Sequence, residues 1–441
     1  MLAKRSERAK GGRGLILMAA SLLALAGCGG GQNSSVETTG SSSEIAESSV
    51  NTTSSSSEET IDMTKFPNYV EDLDTIEYNY DDKAMTDPYW WGNVIYNETV
   101  LLRTQADGTG LGHLRYKAMK VVSVRDYTLK TEYVEGVDYV IDGTEIKTLP
   151  GSKIKSLSDG QLRGSEALPE GFNLVGSISN TLTDCVNMGG SIYTESPFYY
   201  GTQVYVTYAY DVHDLAMDSL PAYQLDELPG LKAKLESGSG TLSIVGLGDS
   251  VLEGCSSSKN FDHEPYQPPY YDLFAEQIES RYGLDVTGYN CAVGGTTSGN
   301  GAEDTKINQA LRYEPDLVLV HFGINDLGGN TSSSVYSDNI MNIILKIRAS
   351  RPDCEFLLIS PIGPNPWNYD YTKMERYVRE LRNIAESEEG IAFLDMFAFS
   401  QYYMSEGVDY YNITGNGINH PNDYGHRLYT GALLSTITKL D

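Results

Sequence analysis

The sequence predicts an α/β fold, a doubly wound parallel sheet in the C-terminal half, preceded by an all-β, sandwich-like region. Three observations predict it. From residue 241 onward, apolar runs such as "TLSIVGLGDS" and "PDLVLVHFGIND" alternate with helix-period segments such as "SDNIMNIILKIRAS". Strands apolar on both faces, separated by helices, are those of a parallel sheet covered on two sides. Between 61 and 235 the period is two, as in "YVEGVDYVID" and "TQVYVTYAYD", with Gly, Asp and Asn between segments; that is the pattern of antiparallel strands. Finally, 441 residues at 40% hydrophobic content are enough for two or three packed domains.

The N-terminus sets the expected location. "MLAKRSERAKGGRG" carries five basic residues, and "LILMAASLLALAG" follows as an apolar run too short to span a bilayer comfortably. Basic, then apolar, then small is a secretory signal. It ends "LAGC", which resembles the lipobox of bacterial lipoproteins and implies a lipidated Cys28 as mature N-terminus, anchored in the membrane at the bacterial cell surface. Residues 1–28 are therefore expected to be signal and lipobox. Residues 29–60, rich in Ser and Thr without an apolar face, are expected to be a disordered tether.

In 61–235 no catalytic motif stands out. In "TQVYVTYAYD", Val204, Val206 and Tyr208 fall on one strand face and Tyr205, Thr207 and Ala209 on the other. "ELPGLKAKLESGSG" (227–240) predicts a short helix and a linker into a second domain, 240–441. The chain has 32 Tyr against 10 Phe and 3 Trp. Tyrosine either replaces Phe on half-exposed strands or builds surfaces suited to sugars.

The C-terminal half then reads strand (241–248), helix ("PPYYDLFAEQIESRYG"), strand ("DVTGYNCAVGG"), helix (301–313), strand ("PDLVLVHFGIND"), helix, strand ("EFLLISPIG"), helix ("YTKMERYVRELRNIAESE"), strand ("IAFLDMF") and a closing helix with Pro421 in its first turn. In such sheets ligands lie beyond the strand C-termini. There the sequence places Ser250 after the first strand, "NCAVGG" with Gly295 after the second, "GIND" with Asn325 after the third, and His420 before the last helix. Each alone reads as a turn or cap. Together they complete one chemistry. A serine hydroxyl needs a base, which His420 supplies. The tetrahedral oxyanion needs donors, which the Ser250 and Gly295 backbone N–H groups and the Asn325 amide supply, each worth roughly 3–4 kcal/mol in the transition state.

These four blocks, "GDS", "NCAVGG", "GIND" and "HP", in this order over 240–441, resemble the SGNH (GDSL) hydrolase family. The resemblance implies a flavodoxin-like three-layer α/β/α domain, Ser250 as nucleophile, His420 as base, and Ser250, Gly295 and Asn325 as oxyanion hole. It implies that Asp249 shapes the nucleophile turn. One position departs. The family usually has an aspartate three residues before the histidine, and here that residue is Gly417. Loss of the acid can cost on the order of 10⁴-fold in rate. A backbone carbonyl around 416–418 is the expected orienting group for His420, ahead of Asn416, Asn419, Asp409 and Asp423.

A net charge of −28 disfavours nucleic acid as a partner. His420 and His426 fall on different helix faces and His321 reads as a packed strand residue, so no metal and no other cofactor is expected. Cys185, Cys255, Cys291 and Cys354 show no disulfide or metal spacing. A β region ahead of an SGNH domain on a lipid tether resembles extracellular carbohydrate esterases, including carbohydrate esterase family two. The expected function is a carboxylic ester hydrolase removing acetyl or other short acyl groups from a glycan. The alternatives are a lipid-directed esterase such as a lysophospholipase, and a glycan-binding lipoprotein with a silent hydrolase domain.

Overall fold

The computed structural model describes residues 62–78, 85–168, 191–370 and 372–440. Cys28, the signal segment, the 29–60 tether and Cys185 lie outside the described residues.

The N-terminal region forms two antiparallel sheets. The strands are β1 (Val94–Leu101), β2 (Arg103–Thr104), β3 (Gly110–His113), β4 (Lys120–Arg125), β5 (Tyr139–Asp142), β6 (Glu145–Thr148) and β7 (Gln203–Ala209). One sheet has the order β1-β7-β4 and the other β2-β3-β6-β5. Every residue of the central strand β7 is buried. Its two faces still alternate as the sequence predicts: Val204, Val206 and Tyr208 enter the main core, and Ala209 enters a smaller cluster with Ile76 and Val94.

The C-terminal region is a five-stranded parallel sheet. Its strands are β8 (Thr241–Gly248), β9 (Asp285–Asn290), β10 (Leu317–His321), β11 (Glu355–Ile359) and β12 (Ile391–Leu394), in the order β12-β11-β10-β8-β9. All four pairings are parallel. Alternate residues face opposite layers. Val245, Leu247, Val318, Val320, Phe356 and Leu358 pack beneath the helices Asp304–Leu311, Ser333–Arg348 and Thr372–Ser387. Leu242, Ile244, Leu319, Leu357 and Ile359 pack beneath Tyr270–Tyr282, Met396–Tyr403 and Asp423–Ile437. This is the expected three-layer α/β/α arrangement.

The expected domain boundary at 235–240 does not separate two bodies. Thr60–Asp441 is one compact unit. The reason is the last helix, Asp423–Ile437, which is buried along its whole length. Its buried residues include polar side chains, Arg427 and Ser435 among them, which need partners on the side away from the sheet. One side meets the parallel sheet and the other meets the β region: Arg427 donates to the carbonyls of Tyr96 (2.6 Å) and Asn97 (2.7 Å), and Trp90 Nε1 donates to Ser435 Oγ (3.0 Å). The expected linker helix, Pro229–Ser237, is pinned too. The carboxylate of Glu355 on β11 accepts the N–H groups of Gly230 (2.6 Å) and Leu231 (2.7 Å), while Leu231 and Leu235 are buried. Pro421 lies before the last helix rather than in its first turn. Asn422 is the N-cap, accepting from Gly425 N (2.9 Å).

Most of the largest fully buried side chains are tyrosines, among them Tyr199, Tyr200, Tyr208, Tyr270 and Tyr403. They are core residues rather than half-exposed strand residues, and the hydroxyls of these five find partners. Tyr208 and Tyr403, from the two regions, both donate to the buried Glu98 carboxyl (2.6 and 2.7 Å). Burial pushes that carboxyl up to about 7.

Candidate active site

The nucleophile turn follows from β8. The buried Asp249 side chain accepts from Val251 N (3.0 Å), and the Asp249 N–H donates to His321 O (3.1 Å). This cap starts the one-turn helix Ser250–Glu253 with Ser250 at its first position. Burial raises the Asp249 carboxyl to about 7, and the cap bond to Val251 N makes it a turn former.

His420 comes to this turn from the loop before the last helix. Its Nε2 lies 2.8 Å from Ser250 Oγ. Asn416 shapes that loop: its Oδ1 accepts the N–H groups of Ile418 (2.9 Å), Asn419 (3.0 Å) and His420 (3.0 Å).

The expected backbone carbonyl behind His420 is not what the structure places there. Nδ1 lies 2.8 Å from Oε1 of Glu195, in the segment before β7. The approach is an ion-pair contact, off the axis of a straight ring N–H bond. The carbonyls of the loop are engaged elsewhere. Asn416 O accepts from Thr194 N (3.3 Å), Gly417 O from Asn365 Nδ2 (2.8 Å), and Ile418 O from Asn365 N (2.8 Å) and Tyr410 Oη (2.9 Å). The two aspartates considered are committed as well, Asp409 to Arg103 (2.6 Å) and Asp423 to Ser258 N (2.8 Å) and Tyr200 Oη (3.0 Å).

Glu195 is firmly held. Oε1 accepts from Asn416 Nδ2 (2.9 Å) and Oε2 from Ser256 Oγ (3.3 Å). Burial alone would raise its carboxyl, but the attraction of His420 at 2.8 Å and the bonds from Asn416 and Tyr193 outweigh it and hold the group at about 2. The converse applies to His420. Burial lowers it, and the negative charge of Glu195 against Nδ1 more than compensates, so it sits above the ordinary histidine value.

The structure also explains why residue 417 carries no acid. Gly417 has φ +85°, and a Cβ there would run into the Tyr199 hydroxyl and sit 2.5 Å from Ile192 O. Both belong to the segment that delivers Glu195. That segment therefore fills the space of a side chain at 417 and supplies a carboxylate in its place. Glu195 carries no motif. The signal available in the sequence was the glycine at 417, which leaves a charge partner to be found elsewhere.

The other expected residues lie on adjoining loops. Gly295 has φ +76° with open space where a Cβ would stand, and its N–H has no acceptor among the described residues; the same is true of the Ser250 N–H. Asn325 donates one N–H to Thr296 O (2.9 Å), and Thr296 Oγ1 donates to Gly248 O (3.2 Å). The second amide N–H of Asn325 remains for a ligand. Asp326 is buried and accepts from Ser298 N (2.9 Å) and Oγ (2.6 Å), which fixes the turn carrying Asn325. His321 bonds Tyr270 Oη (2.6 Å) in the core. Among the described residues, no three His, Cys, Asp or Glu side chains gather as a metal site. A base-paired serine beside unpartnered donors can attack an ester carbonyl and hold the resulting oxyanion.

Residues 247–428 match the model of the GDSL-like lipase/acylhydrolase family. No curated protein sequence matches the chain. Among solved structures, the chain is similar to a catalytic mutant of Axe2, an acetylxylan esterase from Geobacillus stearothermophilus, at 16% identity over 45% of this chain and 97% of that one, with a TM-score of 0.35. It is also similar to the lipase Lip_vut3 from a goat rumen metagenome (16%, 45% and 100%, 0.35) and to a Clostridium thermocellum family 3 carbohydrate esterase (16%, 44% and 94%, 0.33).

Proposed function

We propose that the protein is a carboxylic ester hydrolase that removes acetyl or other short acyl groups from carbohydrate, a reading supported by the match of residues 247–428 to the GDSL-like lipase/acylhydrolase model. The observation that carries the mechanism is the line Ser250 Oγ, His420 Nε2 and Nδ1, Glu195 Oε1, with 2.8 Å at each step between residues. His420 takes the Ser250 proton as Oγ attacks the ester carbonyl. The Ser250 and Gly295 N–H groups and the Asn325 amide receive the oxyanion. His420 then protonates the departing sugar hydroxyl, and a water activated by the same imidazole releases the acid from Ser250.

A short acyl group on a hydrated carrier suits the surroundings. The side chains bonded around the pair are polar: Glu195, Ser256, Asn416, Asn419, Thr296 and Asn325. The test is acetate release from a panel of acetylated polysaccharides, run beside p-nitrophenyl esters of increasing chain length. Release from at least one glycan and a preference for acetate or butyrate are expected. A preference for C8 and longer esters, with no acetate released, would establish the lipid-directed reading instead. No hydrolysis of any ester, with sugar binding retained, would establish the silent one.

We place this activity at a bacterial cell surface, with Cys28 as the lipid anchor. Cys28→Ser is expected to move the protein from the membrane fraction to the medium; a wild type already free in the medium would refute the anchor.

A further inference from the structure

We infer that Glu253 is a positioning residue for the oxyanion hole, clamping the glycine loop to the nucleophile turn. The inference rests on the ester-hydrolase reading above.

The geometry comes from the helix Ser250–Glu253. Residues three apart lie on the same face of a helical turn, so Glu253 stands below Ser250 on the side that meets the loop after β9. Its Oε2 accepts the Gly294 N–H at 2.7 Å. Gly294 is wedged between the two residues: a Cβ on it would lie 3.0 Å from Glu253 Oε2 and 3.6 Å from Ser250 Cβ. With the Gly294 N–H turned back to Glu253, the next amide, Gly295 N–H, is the one left without a protein acceptor.

Other bonds tie the same two segments. Asn290 Nδ2 donates to Leu252 O (2.7 Å), and Val293 N donates to Gly248 O (3.0 Å). These hold the start of the loop. On the far side of the donor, Thr296 Oγ1 reaches Gly248 O (3.2 Å) and Thr296 O accepts from Asn325 (2.9 Å); Glu253 grips the residue before it, Gly294, through its backbone N–H. Oxyanion donors act through preorganisation, and a displacement of about 1 Å can cost on the order of 10²-fold in rate.

A carboxylate near a developing oxyanion is electrostatically unfavourable. The geometry therefore needs Glu253 as an acceptor of fixed length, not as a charge. An amide oxygen in the same place should do the same work. The charge has a separate effect, since Glu253 also raises His420.

The experiment compares the full-length wild type with Glu253→Ala, Glu253→Met and Glu253→Gln, using p-nitrophenyl acetate and thermal unfolding. Met keeps the length and packing of the stem without an acceptor, so it covers the case in which the alanine variant fails to fold. The expected result for Ala or Met is a kcat lowered by about 10- to 100-fold with KM changed less than about threefold. Gln should recover kcat to within about fivefold of the wild type, with the acidic limb of the pH profile moved to lower pH. A folded Met variant within threefold of the wild-type kcat overturns the inference. So does a loss confined to KM, or a Gln variant as impaired as Met. A wild type without esterase activity would refute the function instead, so the two failures are distinct.

Discussion

Ser250→Ala is expected to lower kcat for ester hydrolysis by about 10⁴- to 10⁶-fold, the range seen when a nucleophile acting as a unit with its base is removed. At 1.36 kcal/mol per decade that is about 5–8 kcal/mol of transition-state stabilisation. The fold should survive. Ser250 contributes its backbone to the helix start, and Asp249 provides the cap, so deleting one hydroxyl leaves the turn bonded as before. Unfolding should shift by no more than about 4 °C. Two measurements decide it. Steady-state hydrolysis of p-nitrophenyl acetate should fall to the background set by the remaining oxyanion donors. Labelling by a fluorophosphonate, which attaches to an activated serine, should disappear. A variant keeping a tenth of the activity, or still labelled, would exclude Ser250 as nucleophile.

The sheet was legible in the sequence because each strand carries its own evidence. "SIVGLG" and "LVLVH" are apolar on both faces, and the helices between them keep their period. The strand-end blocks were legible for a related reason: Ser250, Gly295, Asn325 and His420 each sit in a short local pattern. What the sequence hid depends on contacts between distant segments. "ESGSG" has the composition of a linker, but nothing local tells that Glu355 holds the preceding helix against β11. The closing helix mixes leucines with Asp423, His426, Arg427 and Thr430, so its pattern does not tell that its outer side is covered. Glu195 was the hardest to see. It lies 225 positions before His420 in "SIYTESPFYY", a stretch without period or motif. Gly417 pointed to a missing carboxylate, and a carbonyl was the nearest substitute in sequence. Those carbonyls are already bonded to Thr194, Asn365 and Tyr410.

Glu195→Gln tests the correction directly, and its expected effect is the second largest, a kcat loss of about 10²- to 10⁴-fold, or about 3–5 kcal/mol. The amide cannot balance the imidazolium that forms as Ser250 gives up its proton. If its NH₂ faces Nδ1, it also favours the tautomer with the proton on Nε2, which blocks the base. The contact lies off the ring N–H axis, so much of the expected loss is electrostatic rather than directional. The pH profile separates this role from simple packing. Activity needs neutral His420. In the wild type, Glu195 raises the histidine above its ordinary value of about 6.5, so the acidic limb of kcat/KM should lie above that pH. Without the anion, burial is left to favour the neutral ring, and the limb should move to lower pH. The variant should therefore lose least, relative to wild type, on the acid side and most on the plateau. Glu195→Asp, which keeps the charge but shortens the reach, should fall between the two. An unmoved limb with kcat within threefold of wild type, in a folded Gln variant, would mean that His420 works without this carboxylate. Such a result would return the orienting role to the loop backbone, against the bonds its carbonyls already make.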